Sequence, residues 1–410
     1  MFFRCGKLDN VQQPSLRKSQ HETSPHRALI PTTALIFAGY AVIGLEAAAL
    51  PVFVHQRLGL SVQWAGIAVS AQFVATLLNR PFAGATVDRL RPQRAMFGGL
   101  LLCLVSSALL AVAGLLRGHP LAVYGVILIS RLILGFAMSW VPVAGTVWGI
   151  ARVGPSHTAQ VVAWSGVASY GSLALGSPLG LMLAQRYGLL ALGLVSGIVV
   201  AVAALLSMRV EAAPQTQGAR LRFAAVFGRV FPFGGMLALA ASGFGCFLSL
   251  ITIVFTSRHW AHPGLPLTVY GICFVAMRLF ASPLSKNVGP IRTATASLTL
   301  QIVGLLLLSQ AGSPLPGLIA AGLIGSGFSL VFPALCVLAI QSVDPANQAS
   351  AVSVFTAFIE LSLAITTAVS GWMLERIGFS RTFECAAALA LASLLALLFV
   401  RRDENAPSFQ

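Results

Sequence analysis

The sequence predicts an all-α membrane protein: twelve transmembrane helices in two pseudo-symmetric six-helix halves. Three observations predict it. Hydrophobic residues make up 57% of the chain and charged residues only 9%, with a mean hydropathy of +0.86. The apolar residues come in runs of about twenty, the length that crosses a bilayer at 1.5 Å per residue. The loops of the first half recur in the second at fixed offsets.

A soluble domain carries about 25% charge. A soluble globule of 410 residues could not hide this much apolar surface, because part of the chain must face water. Lipid removes that conflict. The net charge of +15 does not point to nucleic acid. The basic residues stand singly or in twos and threes between apolar stretches, as in a multi-span protein, and form no patch. The six cysteines include no CxxC pair, and five lie in apolar segments, so they read as small buried hydrophobes. No metal site and no cofactor is expected.

Taken in order, the spans fall at 29–54, 62–87, 95–116, 121–148, 158–184, 189–208, 230–255, 264–285, 292–310, 317–340, 349–373 and 382–400. Ala95–Leu116 is 22 residues without a charge, and Leu189–Met208 is 20. Thr293–Ile340 is a 48-residue uncharged stretch, divided into two spans by the turn residues 311–317. The last span is short and holds Glu384 near its end. Residues 1–27 lack the apolar core of a signal peptide and read as a disordered cytoplasmic tail. The first half is then 28–208, the linker 209–229, the second half 230–400 and the C-terminal tail 401–410.

Lys and Arg set the orientation. With the N-terminus inside, seventeen lie in inside segments and six in outside segments, while Arg80, Arg131 and Arg278 fall within spans. That bias places both termini in the cytoplasm. A monomer is expected.

The repeat supports the division into halves. Arg80-Pro-Phe-Ala-Gly84 leads to Pro92-Gln-Arg94, and Arg278-Leu-Phe-Ala-Ser282 leads to Pro290-Ile-Arg292, an offset of 198. Val153-Gly-Pro155 and Ala159 match Val343-Asp-Pro345 and Ala349 at 190, as do Arg186 and Gly188 with Arg376 and Gly378. Parallel repeats of this kind mark transporters, with the substrate site between the halves near the midplane.

Gly84-Ala-Thr-Val-Asp88-Arg89, between spans two and three, resembles the cytoplasmic loop motif of the major facilitator superfamily. Arg131-Leu-Ile-Leu-Gly135 in span four is similar to its second motif, and Gly171 through Gly176-Ser-Pro178-Leu-Gly180 in span five to its third. A closer resemblance is to the YhhS/YfcJ group of bacterial inner-membrane transporters. It rests on Gly327–Ile340, Asn347-Gln348, Thr146-Val-Trp148-Gly149 and Arg80-Pro81. The resemblance implies a twelve-helix facilitator fold and proton-coupled transport, but no particular substrate. It also implies a conformational switch at Gly84, Asp88, Arg89 and Arg94, joined by Gly176 and Pro178 of span five. The loop motif has a glycine where this chain has Arg91, and Lys286 stands where the second half would have its acid. The latch is therefore expected to be altered in the second half.

Of eleven Asp and Glu, only Glu46 and Glu360 sit deep in spans. A carboxylate in hydrocarbon is costly, so each is a functional candidate. Glu360 lies about 18 Å deep and is the first choice for the coupled proton; the alternative is a structural hydrogen bond to a neighbouring helix. Glu46 and Arg131 lie at similar depth on two spans of one half and permit an ion pair. Glu46 departs from the group pattern, which is apolar or Pro there. It serves either substrate choice or a structural pair. Arg131 stays charged at any working pH and must meet an acid, carbonyls or water, so it joins Glu360 as a proton-coupling candidate. Trp140, Trp164, Tyr170 and Phe332 either line a pocket for an apolar or aromatic substrate or serve packing and lipid contact.

The chain has no P-loop, HExxH or GxSxG, and no paired intramembrane Asp, which argues against an ATPase or an enzyme. Secondary transport of a small molecule by alternating access is the expectation. Gly176-Ser-Pro178-Leu-Gly180 in span five resembles the glycine-proline motif that marks proton antiporters within the superfamily, and the resemblance implies export against protons. Pro178 bends the helix and the glycines Gly176 and Gly180 pack tightly, which would close the inner half of the pathway against proton leak. Uptake of a sugar or metabolite with protons is the alternative.

Overall fold

The computed structural model describes residues 25–116, 119–154, 157–211, 223–281, 288–343 and 348–404. Within them, the side chains at 25–26, 84–85, 88, 159, 223–226, 348–350 and 401–404 lie outside the description.

Among the described residues the chain forms twelve helices and no strand. They are α1 (Pro25–Val52), α2 (Val62–Leu90), α3 (Pro92–Leu115) and α4 (Pro120–Val153). Thr158–Ser207 is one helical stretch broken at Gly188, which gives α5 (158–187) and α6 (189–207). Next come α7 (Phe223–Ser257), α8 (Leu265–Phe280), α9 (Pro290–Ser309) and α10 (Pro314–Gln341). Gln348–Glu404 is broken at Gly378 into α11 (348–377) and α12 (379–404). The two breaks share one conformation, with φ +77° at Gly188 and +82° at Gly378. Only glycine takes that conformation without strain. Prolines open α3, α4, α9 and α10, where their missing N–H would be unpaired in any case. After Pro51 the ladder of α1 shifts into a π-helical turn, Phe53–Arg57.

The expected spans and the helices differ mainly at their ends. Spans five and six are joined by one glycine, with no polar loop between them. Helix α7 starts at Phe223, inside the stretch read as linker. Residues 1–24, 212–222 and 405–410 lie outside the described residues, as does most of what the sequence analysis took for tails and linker. Among the described residues eight helical stretches are long and apolar enough to cross a membrane, and two of them, Gln160–Ser207 and Ala351–Val400, contain the glycine breaks.

Helix alternation puts the start of α1, the α6–α7 connection and the end of α12 on one face of the bundle, the tail face. The opposite end is the far face. Inside the first half α1 packs on α4 and α5, and α2 on α4. Inside the second half α8 packs on α10, and α9 on α10 and on the 348–404 stretch, where the Ser380 hydroxyl of α12 donates to the Ser309 carbonyl. The halves meet along two seams, α2 against α11 and α5 against α8.

The seams are related by the sequence repeat. A Cβ on Gly66 would collide with the Thr367 carbonyl oxygen of α11, and one on Gly264 would stand 3.4 Å from the Ser177 carbonyl oxygen of α5. Gly66 and Gly264 are 198 residues apart; Ser177 and Thr367 are 190 apart. Inside the halves, Gly135 lies against the Gln72 carbonyl as Gly325 lies against that of Tyr270, at the same two offsets. The small residues let backbones meet where lipid supplies no other drive for helix association.

Candidate functional site

At the α2–α11 seam a line of polar contacts runs from the far face inward. The Val62 N–H, in the first turn of α2, donates to Glu375 Oε1 at 2.6 Å, so a carboxylate of one half caps a helix of the other. Deeper, the Ser70 hydroxyl donates to the Ala364 carbonyl at 2.5 Å. Deeper again, Arg80 Nη2 meets Glu360 Oε1 at 2.7 Å, and both side chains are largely buried. That pair lies about 27 Å along α2 and about 18 Å along α11, near mid-depth. The Arg80 Nε and Glu360 Oε2 atoms have no hydrogen-bond partner among the described residues. A single contact therefore joins the two charges.

The α5–α8 seam carries the repeat partners at the same depth. Arg278 on α8 is 198 residues after Arg80, and Tyr170 on α5 is 190 before Glu360. The Arg278 side chain is buried, donates to the Ser329 carbonyl at 2.7 Å and lies against Gly166 of α5. Tyr170 stacks on Phe274 with centroids 3.6 Å apart, and Phe244 and Tyr270 lie beyond it. Between the seams stands Tyr40 of α1. It lies beside Ser169 of α5, and close enough to Arg80 and Glu360 to feel their charges. Glu360, Arg80, Tyr40, Tyr170 and Arg278 form a mid-depth belt across both seams.

A second ion pair lies nearer the far face. Arg131 Nη1 of α4 meets Glu46 Oε2 of α1, and both side chains are buried. This is the pairing that equal depth permitted. It keeps the two expected proton-coupling residues apart, since Glu360 goes to Arg80 and Arg131 goes to Glu46.

The aromatic candidates separate. Tyr170 lies at the seam. Trp140 turns the other way, against Gly98 and Gly99 of α3, whose bare backbones leave room for the indole. Phe332 packs on Phe355 within the second half, centroids 5.4 Å apart. Trp164 is half-buried on α5.

The span-five motif needs one correction. Gly176 and Gly180 press on Gly44 and Leu45 of α1, and Pro178 faces Gly264 at the start of α8. The motif begins about 27 Å along α5, in the far-face half. The packing it provides seals that half and not the tail-face half, toward the termini, where the sequence alone places it. Burial agrees. From 44 to 52 on α1 and from 240 to 255 on α7 every residue is buried, whereas Ile30, Ala34, Phe227 and Phe231 toward the tail face are exposed.

Of the switch residues, Arg89 and Arg94 are exposed at the tail face. Gly84 and Asp88 lie in α2, but their side chains are outside the described residues, as is Lys286. Arg91, which replaces the motif's glycine, sits at φ +70°, ψ 147°. Its repeat partner is Gly289, at φ +87°, ψ 157°. The backbone still makes the glycine turn.

Sequence reasoning missed Tyr40 and gave no role to Arg80 or Arg278. The repeat held the signal for the two arginines, because a charge that recurs in both halves at one depth is a feature of the interface between them.

The model of the Major Facilitator Superfamily matches residues 32–262 and 233–410. An uncharacterised MFS-type transporter of Burkholderia mallei (strain SAVP1) is 40% identical over 369 residues, which is 89% of this chain and 90% of that one. The uncharacterised MFS-type transporter YhhS of Escherichia coli (strain K12) is 37% identical over 359 residues, 88% and 89% of the two chains. Among solved structures, the human organic anion transporter MFSD10 aligns with a TM-score of 0.70 at 18% identity, covering 91% of this chain and 99% of its own. A point mutant of the nucleoside transporter NupG aligns with a TM-score of 0.72 at 14% identity, covering 90% and 99%. At those identities the two structures show the fold alone.

Proposed function

The chain belongs to the major facilitator superfamily, and on that premise we propose that this multi-pass membrane transporter exports a small organic molecule in exchange for protons. The tail face is then the cytoplasmic face of a bacterial inner membrane, and the chain works as a monomer with no cofactor.

The observation that carries the reading is the Arg80–Glu360 pair. It spans the two halves, lies at mid-depth and is a single contact between groups otherwise shielded from water. In alternating access the halves rock about a site between them. A charge pair on the seam holds one arrangement. In the outward-facing arrangement the seam is parted and Glu360 takes a proton from outside; a neutral carboxyl gives only an ordinary hydrogen bond and can cross without its counter-charge. The halves then rock back. Release of that proton to the cytoplasm, where the tail side is open, restores the charge and with it the pair to Arg80. Glu360 is thus the proton carrier, and Arg80 couples its protonation to movement. Arg131 and Glu46 satisfy each other and serve as a structural pair within the first half.

Export is supported by the far-face seal. With Gly176 and Pro178 packed on α1 and α8, the arrangement offers its tail side to the cytoplasm, where an exporter loads. At the cytoplasmic ends Asp88, with Gly84, Arg89 and Arg94, acts as the latch for the outward-facing state.

Inside-out membrane vesicles test the direction. Acidifying their interior should drive uptake of the substrate into them. Substrate leaving together with protons would mean symport, and the export reading would fall.

A further inference from the structure

We propose that Arg278 binds the anionic group of the substrate, a small organic anion such as a carboxylate or phosphonate with a flat apolar body. This rests on the transport reading above.

The argument starts from the repeat. The two seams are built alike at Gly66 and Gly264, which approach equivalent carbonyls, and each carries an arginine at mid-depth. Arg80 has Glu360 opposite it. The position equivalent to Glu360 beside Arg278 is Tyr170, which is uncharged. One seam has a cation and an anion; the other keeps the cation and lacks the anion.

A guanidinium cannot escape that imbalance by losing its proton. Buried without a counter-charge it is expensive. Arg278 receives one carbonyl, from Ser329, and its Nε has no partner among the described residues. No carboxylate among the described residues pairs with it. A Cβ on Gly166 would stand 3.1 Å from Nη2, so the bare glycine lets the guanidinium lie close between α5 and α8. The site is built to hold a charge and left short of its partner.

Its surroundings set the rest of the ligand. The stacked rings of Tyr170 and Phe274 lie beside the guanidinium, the Phe274 centroid 5.8 Å from Arg278 Cζ. Phe274 is buried behind Tyr170, so the half-buried ring of Tyr170 is the apolar face that a flat hydrocarbon body would meet. Tyr40 lies close to Tyr170 as well as to Arg80 and Glu360. An anion on Arg278 would thus stand in the same belt as the proton carrier.

The test is binding to the purified chain in detergent, read as the shift of the unfolding midpoint with ligand concentration. The probes are benzoate, salicylate and phenylphosphonate, each against its neutral amide or dimethyl ester. At least one anion should raise the midpoint saturably, while its neutral counterpart does not. Arg278→Gln should weaken that binding by roughly thirtyfold or more, the loss expected when one partner of a buried charge pair is removed. Arg278→Lys should retain part of it. Tyr170→Glu supplies the missing acid, so it should elute as the native protein does and no longer bind anions. Equal binding of anion and neutral partner, unchanged affinity in Arg278→Gln, or no protection by any anion overturns the proposal. If a neutral compound is exported while every anion fails, the anion site falls and the transport reading stands. If an anion binds but acidified inside-out vesicles never take it up, the export reading falls and the site stands.

Discussion

The Arg80 guanidinium of one half meets the Glu360 carboxylate of the other at 2.7 Å, so the two charges of this pair belong to bodies that must move apart in alternating access. Glu360→Gln keeps a hydrogen bond to Arg80 but carries no titratable proton. It should abolish accumulation driven by a pH gradient and spare substrate exchange. Counterflow and gradient-driven uptake, measured in the same proteoliposomes, separate the two. Undiminished gradient-driven transport would remove Glu360 from the mechanism.

Exchanging the charges tests the pairing itself. Arg80→Glu with Glu360→Arg should regain expression and monodispersity lost in either single variant, because a single change leaves like charges facing each other across the seam. Equal behaviour of the single and double variants would mean that the contact does not hold the halves.

The buried Arg131–Glu46 pair should behave differently. Removing one partner leaves an uncompensated buried charge and should cost about 3–5 kcal/mol. Arg131→Met with Glu46→Gln should cost less than the sum of the singles. Thermal unfolding in detergent checks this; strict additivity would show that the pair has no coupling.

Arg91 holds a left-handed backbone, φ +70°, where its repeat partner is Gly289. Arg91→Gly should stabilise the protein by about 1 kcal/mol, since strain of this kind costs about 1–3 kcal/mol and glycine returns part of it to the unfolded chain. A lower melting temperature in the variant would contradict it.

Orientation is a separate test. Reporter fusions at Gly218 and at the C-terminus should both report the cytoplasm. An external signal at either place would reverse the faces assigned to the bundle.

The sequence by itself determined the twelve spans, the six-and-six division and the ties between halves, because hydrocarbon tolerates only long apolar helices and a duplicated loop keeps its spacing. Gly188 and Gly378, matched at an offset of 190, are the two helix breaks. Glu46, Glu360 and Arg131 stood out because charge within a span is costly wherever it lies. What depth could not give is the partner. Glu360 and Arg80 are 280 residues apart in the chain, and which arginine reaches which acid depends on how α2 lies against α11. Nor could it show that Trp140 turns to α3 or that Tyr40 stands between the seams. Helix rotation decides that, and it is set by small residues such as Gly66 and Gly98 that admit a neighbour on one face. Spans follow from each segment's own contact with lipid; the belt of charges follows from contacts between segments, and only the tertiary structure decides those.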